Sequence, residues 1–231
     1  MTSCVNIGKV PYTNMVDRER RLEEVIKSIV KWQELIPKIQ IVLVDGSEFS
    51  FTEKIELRGI NIEYLSYRND KTLVAKNGKG AGEAQDISYA LKNSEKIKNA
   101  GYFMKCTGKR WVNNISAFDN KDLYSHFKCK PIISNWGKLS YINTAFFCAH
   151  ASYYQKFFEG LEHEVNDHTG MDLEHAMAQR IVNQKLKNYI FSDIPMLDGW
   201  DGTGDHRVKI YQERPKHYVR RIKYKLLSMI L

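Results

Sequence analysis

The chain has 231 residues, 43% of them hydrophobic, enough for one sizeable core and a single domain spanning 1–206. Its formal charge of +8 is concentrated in residues 207–231, where Arg207, Lys209, Arg214, Lys216, Arg220, Arg221, Lys223 and Lys225 face only Glu213. A basic tail on a nearly neutral body argues for a localised anionic partner and against a whole-surface nucleic-acid binder.

In chain order, residues 4–10 read as a short strand that runs into the turn "VPYTN". "DRERRLEEVIKSIVKWQELIP" then sets Leu22, Val25, Ile26 and Ile29 on one helical face before Pro37 stops it. Ile39–Val44 is a continuous β-branched-rich strand that breaks at Asp45-Gly46-Ser47, completing a βαβ unit. A third strand, 60–67, leads through the polar "RNDKTLVAKNGKGAGEA" to a helix over Ala84–Leu91 with Ile87, Ala90 and Leu91 inward. "AGYFMKCTG", "KPIISNW" and "INTAFFCAH" read as further strands, followed by helices in "ASYYQKFFEGL" and "GMDLEHAMAQRIVNQKL". In the second of these Leu173, Met177, Ile181 and Leu186 form the inner side. The last segment, "PKHYVRRIKYKLLSMIL", spaces Val219, Ile222, Leu226 and Ile230 as a basic amphipathic helix. It either caps the core or attaches to an anionic membrane surface.

Cys4, Cys106, Cys129 and Cys148 are scattered with no CxxC pair, which argues against a stapled secreted fold or a structural zinc module and for a reducing compartment. "MTSCVNIGKV" has no basic stretch followed by a long apolar run, and no later window approaches the ~18–20 apolar residues of a spanning helix. The expected location is the cytoplasm, peripheral on the inner face of the cytoplasmic membrane.

Alternating strands and helices bind ligands at the carboxyl ends of the strands, which selects "VPYTN", "VDGS", "NGKGAGE" and "KCTGKRW". Asp45-Gly46-Ser47 is also compatible with a plain turn. "NGKGAGE" either caps a helix or offers exposed amides, a helix dipole and Lys79 to a phosphate. "PMLDGWDGTGDHR", 195–207, is either a loop that closes over a ligand or a surface connection. His163, His168 and His175 lack the spacing of a metal site and read as surface histidines. The tryptophans are dispersed, so no nucleic-acid partner is expected.

"VPYTN", the helix after it and "IQIVLVDGS" together resemble the opening of inverting glycosyltransferases of the GT-A fold. "GKGAGEAQDISYALKNS", "YFMKCTGKRWVNN" and "INTAFFCAHASYYQKFF" resemble more closely the small glycosyltransferases encoded in bacterial capsule and lipopolysaccharide gene clusters. The resemblance runs over most of 4–206. It implies an α/β, GT-A-like (Rossmann-like) mixed and mostly parallel sheet flanked by helices. It further implies a nucleotide-sugar donor, a UDP-sugar first among them, and a lipid-linked saccharide acceptor for surface polysaccharide synthesis.

Residue by residue, the resemblance places Pro11, Tyr12, Thr13 and Asp45 in the nucleotide pocket. Lys79, Gly80 and Glu83 fall on the diphosphate and sugar side. Asp172 becomes the general base, with Glu174 as a helper or a surface acid. The chain departs from the family pattern where metal-dependent members carry Asp-x-Asp, because it has Lys105, Cys106 and Thr107 there. Hard cations need oxygen ligands, so the expectation is no metal, with Lys109 or Arg110 and Lys79 holding the diphosphate. Lys105 is alternatively a partner for a carboxylate beneath the pocket, and Mn2+ or Mg2+ is the alternative cofactor. A nucleotidyltransferase and a non-enzymatic RNA- or membrane-binding module are the rival readings.

Overall fold

The structure, a computed structural model, describes residues 1–6, 13–51, 59, 62–134, 137–208 and 224. Pro11 and Tyr12, expected in the nucleotide pocket, and all of 215–231 except Tyr224 lie outside the described residues.

The first half is built as β1 (Thr2–Ser3), α1 (Arg18–Leu35), β2 (Val42–Asp45), β3 (Glu63–Ser66), α2 (Lys71–Asn77), α3 (Lys79–Asn93) and α4 (Glu95–Ala100). The second half follows as β4 (Tyr102–Cys106), β5 (Arg110–Val112), α5 (Asn120–Leu123), β6 (Phe127–Ile133) and β7 (Leu139–His150). After these come α6 (Ala151–Phe158), α7 (Leu161–Glu164), α8 (Leu173–Asn183), β8 (Leu197–Asp201) and β9 (His206–Arg207). The fold is therefore mixed α/β.

α1 starts where Asp17 accepts from the Arg20 amide at 2.7 Å. Leu22, Val25, Ile26 and Ile29 are buried as their spacing predicts, joined by Arg21, Ser28 and Trp32. The Ser28 hydroxyl and the Trp32 indole both donate to the Arg110 carbonyl, at 2.6 and 3.1 Å, which fixes β5 against the helix.

β1, β2 and β3 pair in parallel, with Thr2 opposite Val44 and Val42 opposite Glu63. A parallel bridge from Thr2 to Thr107 brings the end of β4 beside β1. Gly108 donates there to the Thr2 carbonyl at 2.8 Å, and a Cβ on it would lie 2.6 Å from that oxygen. From β4 onward every strand pair is antiparallel: β4 with β7, β6 with β7, β5 with β8 and β8 with β9. The expectation of a mostly parallel sheet is corrected here. The Ser134 amide donates to the Lys138 carbonyl at 2.9 Å, and only five residues separate β6 from β7, too few for the crossover that a parallel pair needs.

The helix expected over Ala84–Leu91 begins earlier, at Lys79, and takes in Gly80 and Gly82. Asp70 caps α2 by accepting from the Thr72 and Leu73 amides at 2.9 and 3.0 Å, and α3 begins at Lys79, directly after Gly78 at φ +96°. α8 packs on β7 with Leu173, Met177 and Ile181 buried, as their spacing predicts. At Tyr224 the tail touches the body: the ring is buried and its hydroxyl reaches the Cys129 carbonyl at 3.4 Å. Among the described residues no helix is long and apolar enough to cross a membrane.

Candidate functional site

The carboxyl ends of β1 and β4, the starts of α3 and α8 and the β8–β9 turn enclose a cleft of about 490 Å³. Of the residues singled out in the sequence, it brings together Thr13, Lys79, Gly80, Glu83, Lys109, Arg110, Asp172 and Glu174. Asp45 and Lys105 do not line it.

Asp45 is fully enclosed and spends its oxygens on the backbone. One accepts from the Val5 amide at 3.1 Å, the other from the Ser47 amide and hydroxyl at 2.9 and 2.5 Å. Its neighbourhood is that of the turn reading, a carboxylate tying β1 to the turn after β2.

Lys105 lies beneath the cleft. Its ammonium donates to Glu83 Oε1 at 2.5 Å, the Thr144 carbonyl at 2.5 Å and Thr107 Oγ1 at 3.2 Å, which uses all three of its protons. Glu83 Oε1 also accepts from Thr2 and Thr107. Burial alone would raise the Glu83 carboxyl, but the Lys105 charge and these bonds hold it below its ordinary value. The pair matches the alternative reading of Lys105. Removing one partner of such a buried pair costs about 3–5 kcal/mol.

Lys109 has a different environment. It is 7% exposed, lines the cleft beside Gly202, and has no carboxylate among the described residues within ion-pair distance. Burial and the adjacent Arg21 and Arg110 charges push its ammonium down to about 8, against the pull of Glu83. Arg21 donates to backbone carbonyls, Nε to Cys4 and Nη1 to Met15, both at 2.8 Å, and among the described residues its charge too has no carboxylate in direct contact. Arg110 is paired, with Nη2 donating to Asp201 Oδ1 at 2.8 Å, while its Nε is enclosed and unbonded. The cleft thus has a cationic wall made by α1, β5 and the residue before β5.

Arg21 was not legible as a site residue from the charged run "DRERRLEE". The signal lay in the phase of the helix: 21, 25, 28 and 32 fall on one face, and that face is the buried one.

The opposite wall is acidic. Glu174, on the first turn of α8, accepts from the Thr144 hydroxyl at 2.7 Å. Burial, then the Glu83 and Asp172 charges, raise its carboxyl above the ordinary value despite that bond. Asp172 is the N-cap of α8: its Oδ1 accepts from the His175 amide at 2.9 Å and meets His175 Nδ1 at 2.7 Å. It lines the cleft as well, but with that oxygen committed.

The start of α3 meets an anion, and the anion belongs to the chain. Asp167 Oδ2 accepts from the Gly80 amide at 3.2 Å. A Cβ on Gly78 or Gly80 would come within 2.4 or 2.9 Å of that carboxylate, which is why glycine occupies both positions. Lys79 turns outward and donates to the Thr203 hydroxyl at 2.7 Å, linking α3 to the β8–β9 turn across the mouth. That turn is anchored by Asn14 and Met15, whose amides donate to the Thr203 and Gly202 carbonyls at 3.3 and 3.2 Å. The 195–207 segment is thus a hairpin that roofs the cleft.

Six buried side-chain polar atoms have no hydrogen-bond partner among the described residues, and four of them belong to residues that line this cleft: Ser3 Oγ, Asn69 Oδ1, Arg110 Nε and Asp167 Oδ1. Each costs about 1–3 kcal/mol while unmade. Among the described residues no three of the His, Cys, Asp and Glu side chains are grouped to hold a metal ion, the 163, 168 and 175 histidines included.

No protein-family model matches the chain. No curated protein matches it either. Among solved structures, the crystal structure of HddC from Yersinia pseudotuberculosis is similar to it with a TM-score of 0.35 and 15% sequence identity, covering 63% of this chain and 69% of that one. At that level the similarity bears on neither fold nor activity.

Proposed function

We propose that the chain is a glycosyltransferase that moves a sugar from a nucleoside-diphosphate sugar to an acceptor hydroxyl. The observation that carries this reading is the Lys109 ammonium, enclosed, without a carboxylate partner, flanked by Arg21 and Arg110, and sharing its cleft with Glu174. Lys109 and Arg21, which have no carboxylate within ion-pair distance among the described residues, favour an incoming polyanion. A carboxyl of raised proton affinity suits removal of a hydroxyl proton.

In this reading the acceptor oxygen attacks the anomeric carbon while the bond from that carbon to the diphosphate oxygen breaks. The acceptor proton passes to Glu174, and the leaving diphosphate keeps the bonding electrons. Lys109, Arg21 and Arg110 stabilise its charge, as preorganised donors do in a water-poor site. A single displacement inverts the anomeric centre. Glu174 takes the base role in place of Asp172, because burial raises its carboxyl, whereas the Asp172 side chain is exposed and caps α8. Lys79 and the β8–β9 turn form the closing edge.

The fixed cations stand in for a metal, since Lys105, Cys106 and Thr107 offer no hard-oxygen set of the Asp-x-Asp kind; Mn2+ or Mg2+ is the alternative. The basic tail extends the reading to an anionic membrane surface at the cytoplasmic face, where a lipid-linked saccharide acceptor for bacterial surface polysaccharide would be presented.

Incubating the purified protein with UDP-, GDP-, dTDP- and CMP-sugars in EDTA should release nucleoside diphosphate from a UDP-sugar, slowly to water and faster to an acceptor saccharide. Release of pyrophosphate from a nucleoside triphosphate and a sugar 1-phosphate, supplied in a parallel incubation, would favour a nucleotidyltransferase. Activity lost in EDTA and restored by manganese would overturn the metal-free part.

A further inference from the structure

A second cavity, of about 600 Å³, opens toward the amino ends of the strands, away from the cleft. Two of its sides are backbone, residues 39–42 and Tyr102–Cys106, and β1 between them is only Thr2–Ser3. β2 pairs with β3 along one edge and β4 with β7. Among the described residues, the edges of β2 and β4 that face each other across the cavity meet a strand only from Met1 onward.

The register runs on past that point. Thr2 stands opposite Val44 and Thr107, which puts Met1 beside Cys106; the next four positions backward would fall beside Lys105, Met104, Phe103 and Tyr102. The Val42 carbonyl already accepts from the Met1 ammonium at 2.6 Å, in the place where a ladder has an amide N–H. Across the gap the Thr107 amide donates to the Ala145 carbonyl on the β7 side and the Gly108 amide to the Thr2 carbonyl. Alternation along an extended strand therefore aims the Met104 and Cys106 amides into the cavity.

The two remaining sides are apolar. The crossover from β1 to β2 and the crossover from β3 to β4 run in opposite directions, which sets α1 and α3 on opposite faces of the sheet. Trp32 and Ile36, at the end of α1, close one side, and Ile87, Ala90, Leu91 and Ile97 of α3 and α4 close the other. A strand covered on both faces is a continuous apolar run. Burial lowers the Met1 ammonium to about 6, a cost that an uncharged peptide N–H in its place would not carry.

We infer that this cavity is a strand-acceptor slot whose occupant is an extended apolar segment of four residues, joined to the Met1 amine, that completes β1 between β2 and β4. The peptide N–H formed at Met1 keeps the bond to Val42 and removes the charge. An acyl chain would fill the volume but leave the strand amides unpaired, which a peptide does not. The slot is independent of the transfer reading, since Lys109 and Glu174 line the other cavity.

Two extended forms of the full chain test this. Ile-Val-Leu-Val placed directly before Met1 should raise the melting temperature by at least roughly 5 °C and slow hydrogen exchange at the Met104 and Cys106 amides about tenfold or more. Gly-Ser-Gly-Ser in the same place should leave the melting temperature within about 2 °C. The free peptide acetyl-Lys-Lys-Ile-Val-Leu-Val, which needs no extended chain to be soluble, should protect the same two amides in the wild-type chain at high peptide concentration, because the tether is all it lacks. Equal melting temperatures for the two extended chains, or no protection of Met104 and Cys106 by either apolar form, would overturn the slot. Protection by the free peptide with no gain from the apolar extension would overturn the same-chain occupant.

Discussion

Lys109→Met should make the protein more stable and nearly unable to bind a nucleoside diphosphate. In the free protein the Lys109 ammonium is enclosed between Arg21 and Arg110, and burial with their charges lowers it from the ordinary 10.5 to about 8. The unfolded chain therefore holds this proton more tightly than the folded one, and at neutral pH the charged form costs the fold on the order of 2–3 kcal/mol. Met keeps the length of the apolar stem and removes the charge. A melting temperature higher by roughly 5–10 °C at pH 7 is expected for a chain of this size.

The sign can be checked with pH. A lysine whose folded value is lowered makes stability rise with pH between about 8 and 10.5, where the unfolded chain binds the extra proton, and the Met variant should lose that rise. Its affinity for UDP should fall about a hundredfold, because a desolvated charge-assisted contact is lost. A purely structural lysine would give the opposite stability result.

Glu174→Gln should reduce kcat by about a thousandfold while leaving UDP affinity within a factor of three. The loss follows from removing a general base, and the amide keeps the bond from Thr144. Asp172→Asn should do much less to turnover, since its oxygen caps α8 and Asn is an equally good cap. The pH profile of kcat/KM should be bell-shaped. Its acid limb rises as Glu174 loses its proton above the ordinary carboxylate value, and its alkaline limb falls as Lys109 deprotonates near 8. If Asp172→Asn instead abolished turnover and Glu174→Gln did not, the base would be Asp172.

The helices and strands with regular apolar spacing were legible: Leu22, Val25, Ile26 and Ile29 on α1, and Leu173, Met177 and Ile181 on α8. So was the rule that the cleft forms at the strand ends, which gathers eight of the residues singled out from sequence into one space. The helix expected over Ala84–Leu91 starts earlier, at Lys79, and so takes in Gly80 and Gly82, which were placed ahead of it. Its helical form is set by a neighbour distant in sequence, Asp167, which leaves no room for a Cβ at 78 or 80. The difference between Lys105 and Lys109 was likewise invisible, because alternation along the chain does not reveal that Glu83 lies under one and not the other. Antiparallel pairing in the second half was not legible because β4 with β7 and β5 with β8 pair strands far apart in sequence, and no local signal gives their direction.

A cation wall that holds a nucleoside diphosphate without a metal is the core of the proposed function. Titrating UDP into the wild-type chain in EDTA, once at pH 7 and once at pH 9.5, tests it most directly. Saturable binding at pH 7 that weakens by about tenfold or more at pH 9.5 is predicted, because the Lys109 charge is lost as pH rises through about 8. No binding at pH 7 in EDTA, or an affinity that is the same at both pH values, would contradict it.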